Sequence, residues 1–258
     1  MNKVIAIIQA RMGSTRLPGK MLMDIGGKPA VQHVFERVRL AKTINEIWLA
    51  TTDNVADDVL ASWGKEFGAT VFRGSEQDVL DRYYQTAKKA GANVVVRVTA
   101  DCPLVDPAVI DQVVEAYLGG DFDYVSNVHP PTFPDGLDIE VFSFSSLERA
   151  WHEAKLPSER EHVTPYIWKH PELFRLFNVT CYMVHEKVDL SRHRWTLDTP
   201  EDLELIRRIV IELQQQGNST DMYGIIHMLE AHPDWLAVNA QFERNEGYKK
   251  SLVEDVSV

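Results

Sequence analysis

Cysteine is almost missing from this chain: Cys102 and Cys181 are the only two in 258 residues. Two thiols make neither a disulfide framework nor a zinc site, and they suit a reducing compartment. No apolar run approaches the roughly 18 residues that a bilayer span requires. The N-terminus shows no charged stretch followed by an apolar leader, and there is no repeat or low-complexity tract. These absences predict a soluble, cytoplasmic protein without a membrane partner. Basic residues are also scarce, 27 Lys and Arg against 38 Asp and Glu, for a net charge of −11. Nucleic-acid binding draws on phosphate neutralisation over a broad basic face, so no nucleic-acid partner is expected. With 45% hydrophobic composition the chain can bury one large core.

What cationic charge there is gathers near the start. Residues 1–53 hold eight Lys and Arg against four Asp and Glu, leaving 19 against 34 for the rest. An apolar run from Val4 ends at Gln9 and opens into Ala10-Arg11-Met12-Gly13-Ser14-Thr15-Arg16-Leu17-Pro18-Gly19-Lys20. This pattern predicts a buried strand followed by a loop whose glycines let backbone N–H groups converge on an anion, with Arg11, Arg16 and Lys20 adding charge. It is neither of two familiar phosphate motifs. A P-loop has four residues between its glycines and a hydroxyl after its lysine, whereas five separate Gly13 from Gly19 and Met21 follows Lys20. The dinucleotide fingerprint needs a glycine two residues after the first, and Thr15 stands there. The loop reads as a polyphosphate cradle.

Strand-like and helix-like stretches alternate through the first half, which predicts an α/β fold with a mostly parallel twisted sheet and helices on both faces. Strands are placed near Val4–Gln9, Ile47–Thr51, Thr70–Phe72, Val94–Val98 and Tyr124–Ser126. Helices are placed near Pro29–Ala41, Val55–Phe67, Asp78–Ala90 and Pro107–Leu118. Pro29 and Pro107 suit first-turn positions and Asp106 an N-cap. Further helices are expected at Ser145–Ala154 and Glu161–Lys169, and strands of a small antiparallel extension, spanning about 137–190, at Phe174–Val179 and Tyr182–His185. An edge of that kind often pairs with a second subunit, and a homodimer is expected. Arg192–Leu197 reads as a return to the sheet, Thr199 and Pro200 as N-cap and first position of the next helix. The nucleotidyltransferase-like domain is drawn at 1–212, and 213–258 as a helical tail with a flexible end and no identifiable chemistry.

In such a sheet ligands bind beyond the carboxyl ends of the strands. Asp101 follows the most buried strand pattern and is suited to hold Mg²⁺ against a triphosphate, since that ion takes one or two carboxylates together with phosphate oxygens and water. Asp198 precedes a helix cap and faces the same strand tips, and the two are assigned as metal ligands. Asp53 either orients a nucleoside or caps a helix. Arg73 is placed to reach a phosphate or base edge, and Asp78 to favour a helix start. Asp121 and Asp123 read as a surface turn. In the proline-rich approach to a strand, Asp135 and Gly136 lead to Asp138 and Glu140, whose alternation places both carboxylates on one face and assigns that face to an acceptor substrate. Arg160 and His162 are further acceptor candidates.

Three ordered motifs, Ala10–Lys20, Thr99-Ala100-Asp101-Cys102-Pro103-Leu104 and Leu197-Asp198-Thr199-Pro200-Glu201-Asp202-Leu203, resemble those of cytidylyltransferases that activate sugar acids. The likeness is strongest to the spore-coat polysaccharide type, which Glu161-His162-Val163-Thr164-Pro165 also resembles. Gln9 stands where the sialic-acid and octulosonate branches commonly carry proline. The resemblance implies CTP as donor, a sugar or sugar-acid hydroxyl as acceptor and pyrophosphate as leaving group. It places the nucleotide on Ala10, Arg11, Met12, Gly13, Ser14 and Arg16, with Lys20, Thr99 and Asp101, to which Asp53 and Arg73 are added from their positions after strands. Lys20, Arg11 and Arg16 would stabilise the leaving group. Two other readings remain: a nucleotide-sugar-dependent glycosyltransferase using Asp121 and Asp123, and a catalytically silent nucleotide-binding module.

Overall fold

The computed structural model describes residues 2–183, 186–217 and 221–255. The chain begins with β1 (Val4–Gln9), whose residues are almost all buried. After the glycine loop come a two-residue hairpin, β2 (Asp24–Ile25) and β3 (Lys28–Pro29), then α1 (Ala30–Val38), β4 (Glu46–Thr52), α2 (Asp58–Glu66), β5 (Thr70–Gly74), α3 (Val79–Ala90), β6 (Val94–Thr99) and α4 (Pro107–Gly119). The second half contains β7 (Tyr124–Ser126), β8 (Glu140–Ser143), α5 (Phe144–Glu153), α6 (Pro157–His162), α7 (Pro165–Trp168), β9 (Leu176–Asn178), the hairpin β10 (Tyr182–Met183) with β11 (Glu186–Lys187), α8 (Pro200–Gln216), α9 (Met222–Ala231) and α10 (Glu246–Asp255).

Seven strands form one sheet in the order β5-β4-β1-β6-β8-β7-β9. β1 pairs in parallel with β4 on one side and β6 on the other. Both faces of β1 are covered: Ile5 and Ile7 pack with Leu80 and Tyr83 of α3, while Ala6 and Ile8 pack with Val34 of α1 and Ile206 of α8. A strand buried on both faces is why its sequence is a continuous apolar run. From β1 the chain winds outward through β4 and β5, then returns to the opposite side of β1 as β6. The turn-off between β1 and β6 is the topological switch point of the sheet, where the connections after neighbouring strands diverge and leave a crevice.

Several expectations for the second half are corrected. β8 is not part of an appendage: it lies inside the main sheet, antiparallel to both β6 and β7. β9 is parallel to β7, so among the described residues only β10 with β11, together with the earlier β2–β3 hairpin, stands as separate antiparallel pairing. Of the strand expected at Tyr182–His185, Val184 and His185 lie outside the described residues, as do the last three residues, 256–258, of the tail whose end was expected to be flexible. Arg192–Leu197 is no strand. It is an extended segment stitched to two loops, with the Asp135 N–H donating to His193 O at 2.8 Å and the Leu197 N–H to Asp101 O at 2.7 Å. The helix expected at Glu161–Lys169 is broken at Val163, a buried β-branched residue with φ of 73°, beyond which Pro165 starts α7. Asp106 and Thr199 cap α4 and α8 with proline at the following position, as the sequence predicts.

Candidate active site

The loop after β1 is shaped by contacts on both sides. Leu17 and Met21 are buried in the core, and Gly19, with φ of 73°, turns the chain into a short 3₁₀ turn at Lys20–Leu22. The other anchor is Asp57, 2% exposed. One of its oxygens accepts the Met12 N–H at 2.7 Å and the other accepts the Thr52 hydroxyl. Asp53 caps no helix; Asn54 caps the short 3₁₀ turn Val55–Asp57 that leads into α2, accepting the Ala56 N–H at 2.9 Å. Within the loop, the backbone N–H groups of Gly13, Thr15 and Arg16 donate to no other described residue. All three residues lie in the wall of a cavity of about 870 Å³ that opens at the switch point. That volume is in the range of small-molecule sites.

The floor of the cavity is ionic. Lys20, only 6% exposed, donates to Asp101 Oδ2, Asp198 Oδ1 and the Leu197 carbonyl, each at 2.9 Å. Burial works against its charge, but the two carboxylates outweigh burial and hold its pKa above the ordinary lysine value. Burial would likewise raise Asp101, yet the Lys20 charge and hydrogen bond bring it down to about 2. Asp198 also meets Arg16 at 3.1 Å and Arg194 at 3.3 Å through its second oxygen. Arg16 reaches Glu246 of α10 at 2.8 Å, and Arg11 lies 3.6 Å from Glu76.

Of the residues singled out in the sequence, Ala10, Arg11, Gly13, Ser14, Arg16 and Lys20 line this cavity. So do Thr99, Asp101, Asp198, Arg160 and His162. Others are placed elsewhere. The Met12 side chain packs against the core, and Asp53 lies exposed outside the wall. Arg73 is spent on the adjoining loop, with Thr52 O at 2.8 Å, Asn54 O at 2.8 Å and Asp58 at 2.5 Å. Asp135, Gly136, Asp138 and Glu140 also lie outside the wall. Instead of facing a cleft, these carboxylates belong to an internal network. Glu140 accepts from Arg97 at 2.5 Å, Tyr124 at 2.6 Å and Thr164 at 2.6 Å. Asp138 pairs with Arg244, although burial pushes its pKa up to about 7. Asp135 meets Arg194 at 3.2 Å, and a Cβ on Gly136 would come within 2.7 Å of the Trp195 backbone.

Residues that sequence reasoning passed over complete the site. Gln9 and Arg82 line the cavity, and Gln9 Oε1 and Arg82 Nε are buried without a hydrogen-bond partner. Asp202 is fully buried and holds Arg194 at 2.9 and 3.0 Å, while the same carboxylate accepts the backbone N–H groups of Asp198 and Thr199. The tail, expected to be inert, supplies a wall: Gly247, Lys250, Ser251 and Glu254 of α10 face the cavity beside α6. Ser251 is 2.9 Å from His162 Nε2, and Asp255 accepts from the Ser158 N–H and hydroxyl at 2.9 and 2.6 Å. Burial brings the His162 pKa down to about 4. The Asp121 and Asp123 pair is held by Arg175 at the surface, outside the cavity, which removes the geometry a glycosyltransferase reading needs.

A sequence profile of the family described as Cytidylyltransferase matches residues 5–226. The chain belongs to the cytidylyltransferase family. Within it, the chain is 35% identical over 243 residues to the spore coat polysaccharide biosynthesis protein SpsF of Bacillus subtilis, covering 91% of this chain and 97% of that one. It is 39% identical to the 8-amino-3,8-dideoxy-manno-octulosonate cytidylyltransferase of Shewanella pealeana, covering 80% and 85%. The structure of a cytidylyltransferase from Leptospira borgpetersenii superposes with a TM-score of 0.84 at 33% identity, over 95% of this chain and 100% of the other. At 20% identity, a CMP:2-keto-3-deoxy-manno-octonic acid synthetase structure complexed with CTP shares the fold with a TM-score of 0.61.

Proposed function

We propose that this cytidylyltransferase transfers CMP from CTP to the hydroxyl of a sugar acid, for surface polysaccharide biosynthesis, with Mg²⁺ as cofactor. The observation that carries the reading is the juxtaposition, in one cavity, of three unpaired loop N–H groups with Lys20, Asp101 and Asp198. The loop amides and Arg16 would receive the triphosphate. Gln9 and Arg82 line the same cavity and add an amide and a guanidinium group to its wall. The acceptor hydroxyl oxygen attacks the α-phosphorus as the bond to the bridging oxygen of pyrophosphate breaks, and the hydroxyl proton passes to water. No nucleophile paired to a base is required of the protein, which contributes position and charge.

The donor set fits Mg²⁺: two carboxylates converge on a point already held by a cation, and that ion needs no more from protein when phosphate oxygens and water complete its shell. Asp101 and Asp198, both on the Lys20 ammonium, would be its protein ligands. Mg²⁺ bound there would neutralise phosphate charge. The acceptor is assigned to the α6 and α10 side, near Arg160 and His162. A cytoplasmic setting accords with two buried free thiols, and a homodimer through the sheet edge accords with exposed Phe177 on β9. Among the described residues no helix is long and apolar enough to cross a membrane. Pyrophosphate release measured with each of four nucleoside triphosphates against a panel of sugar acids and sugar phosphates tests the reaction. Release with CTP and a sugar acid is expected, and release with a purine nucleotide alone would remove the assignment.

A further inference from the structure

Lys20 has no hydrogen-bonding capacity left for phosphate in this state. An ammonium carries three donors, and all three are used, on Asp101, Asp198 and the Leu197 carbonyl, each at 2.9 Å. Two facing carboxylates without a cation between them would repel. The ammonium prevents this by standing where their oxygens converge. An octahedral divalent ion with one oxygen from each carboxylate at about 2.1 Å would need that same place. Two cations cannot share it.

We infer that Lys20 is a place-holder: in the nucleotide-free protein its ammonium occupies the divalent-cation position and keeps Asp101 and Asp198 converged. The triphosphate then draws the ammonium onto a phosphate oxygen and frees both carboxylates. The inference rests on the reaction proposed above and adds an order to it, with nucleotide entering before or together with the metal. The side chain suits the exchange. Its flexible stem starts from a 3₁₀ turn that follows Gly19, so the head can swing between carboxylate and phosphate without moving the sheet.

Mn²⁺ binding without nucleotide, read from the electron paramagnetic resonance signal of the free ion, tests this directly. Wild-type protein is expected to bind Mn²⁺ weakly. Lys20→Met, which keeps the stem and removes the charge, is expected to bind one Mn²⁺ at least tenfold more tightly, and adding Asp101→Asn is expected to abolish the gain. Unchanged Mn²⁺ affinity in a folded Lys20→Met, a gain that survives Asp101→Asn, or tight Mn²⁺ binding by the wild type would overturn the inference. A second measurement uses only wild-type protein: calorimetric titration of CTP, ATP, GTP and UTP in EDTA. Metal-free binding of a nucleoside triphosphate is expected, because the ammonium is released to it, and no binding by any of the four until a divalent ion is added would overturn the inference. Binding of another nucleotide in place of CTP would count against the proposed function and leave the place-holder intact.

Discussion

At the scale of single residues, charge decides what each group can do. In the proposed reaction the Lys20 ammonium, moved onto the departing pyrophosphate, would stabilise charge that grows only as the bond to the α-phosphorus breaks. Loss of one such donor costs on the order of 3 kcal/mol, about a hundredfold in rate. Lys20→Ala should therefore lower kcat more than it raises KM for CTP, in steady-state kinetics; a change in KM alone would mean that Lys20 contributes uniform binding. Asp202 acts differently. It touches no cavity wall, yet it holds Arg194 and the backbone on which Asp198 sits. Removing one partner of a buried ion pair costs about 3–5 kcal/mol, and Asp202→Ala should lose stability of that size in urea unfolding. A variant as stable as wild type would show that the network adds nothing. Asp101 and Asp198 were legible in the sequence because each ends a recognisable pattern, a buried strand or the approach to a helix cap. Asp138 and Glu140 misled because alternation gives a face but not what covers it, and here Arg244, Arg97 and Tyr124 cover it.

At the scale of elements, β1, β4 and β6 are read from apolar runs that are buried on both faces, and the shorter β5 and β7 are placed as well. β8 and β9 have only four and three residues, and their direction follows from long-range pairing that no local pattern encodes. Nor does the sequence show that Asp57, in a polar stretch after β4, reaches back 45 residues to the Met12 N–H. A hydrogen bond to a charged group is worth about 1.5–3 kcal/mol, so Asp57→Ala should raise KM for CTP by roughly tenfold or more; unchanged kinetics would mean the loop is ordered without it. The clasp between α6 and α10 gives a pH prediction. Burial holds the His162 ring at about 4, below the 6.5 of an unburied imidazole. Between those values the folded protein binds fewer protons than the unfolded chain, so the stability is complete above about pH 6.5 and drains away as pH falls towards 4. His162→Gln should flatten the melting temperature across that window, and an unchanged slope would show that the ring titrates normally.

At the scale of the whole molecule, the cavity joins parts far apart in sequence: a loop near residue 13, a strand tip at residue 101, the residue before a helix cap at 198 and a helix beginning at Glu246. The first three follow from strand order, since β1 and β6 flank the switch point and the 192–197 segment is stitched onto the β6 turn. The fourth does not. α10 is held by hydrogen bonds at Ser251 and Asp255 and by the Tyr248 ring packed edge-on against His162 and Trp168, with Ser251 its only buried residue, and these contacts leave no apolar stripe from which to read its position. The central claim is that this assembled cavity is built for CTP, and calorimetric titration of CTP, ATP, GTP and UTP into wild-type protein with Mg²⁺ present tests it most directly. CTP should bind more tightly than the other three; equal or tighter binding of a purine triphosphate would contradict the account.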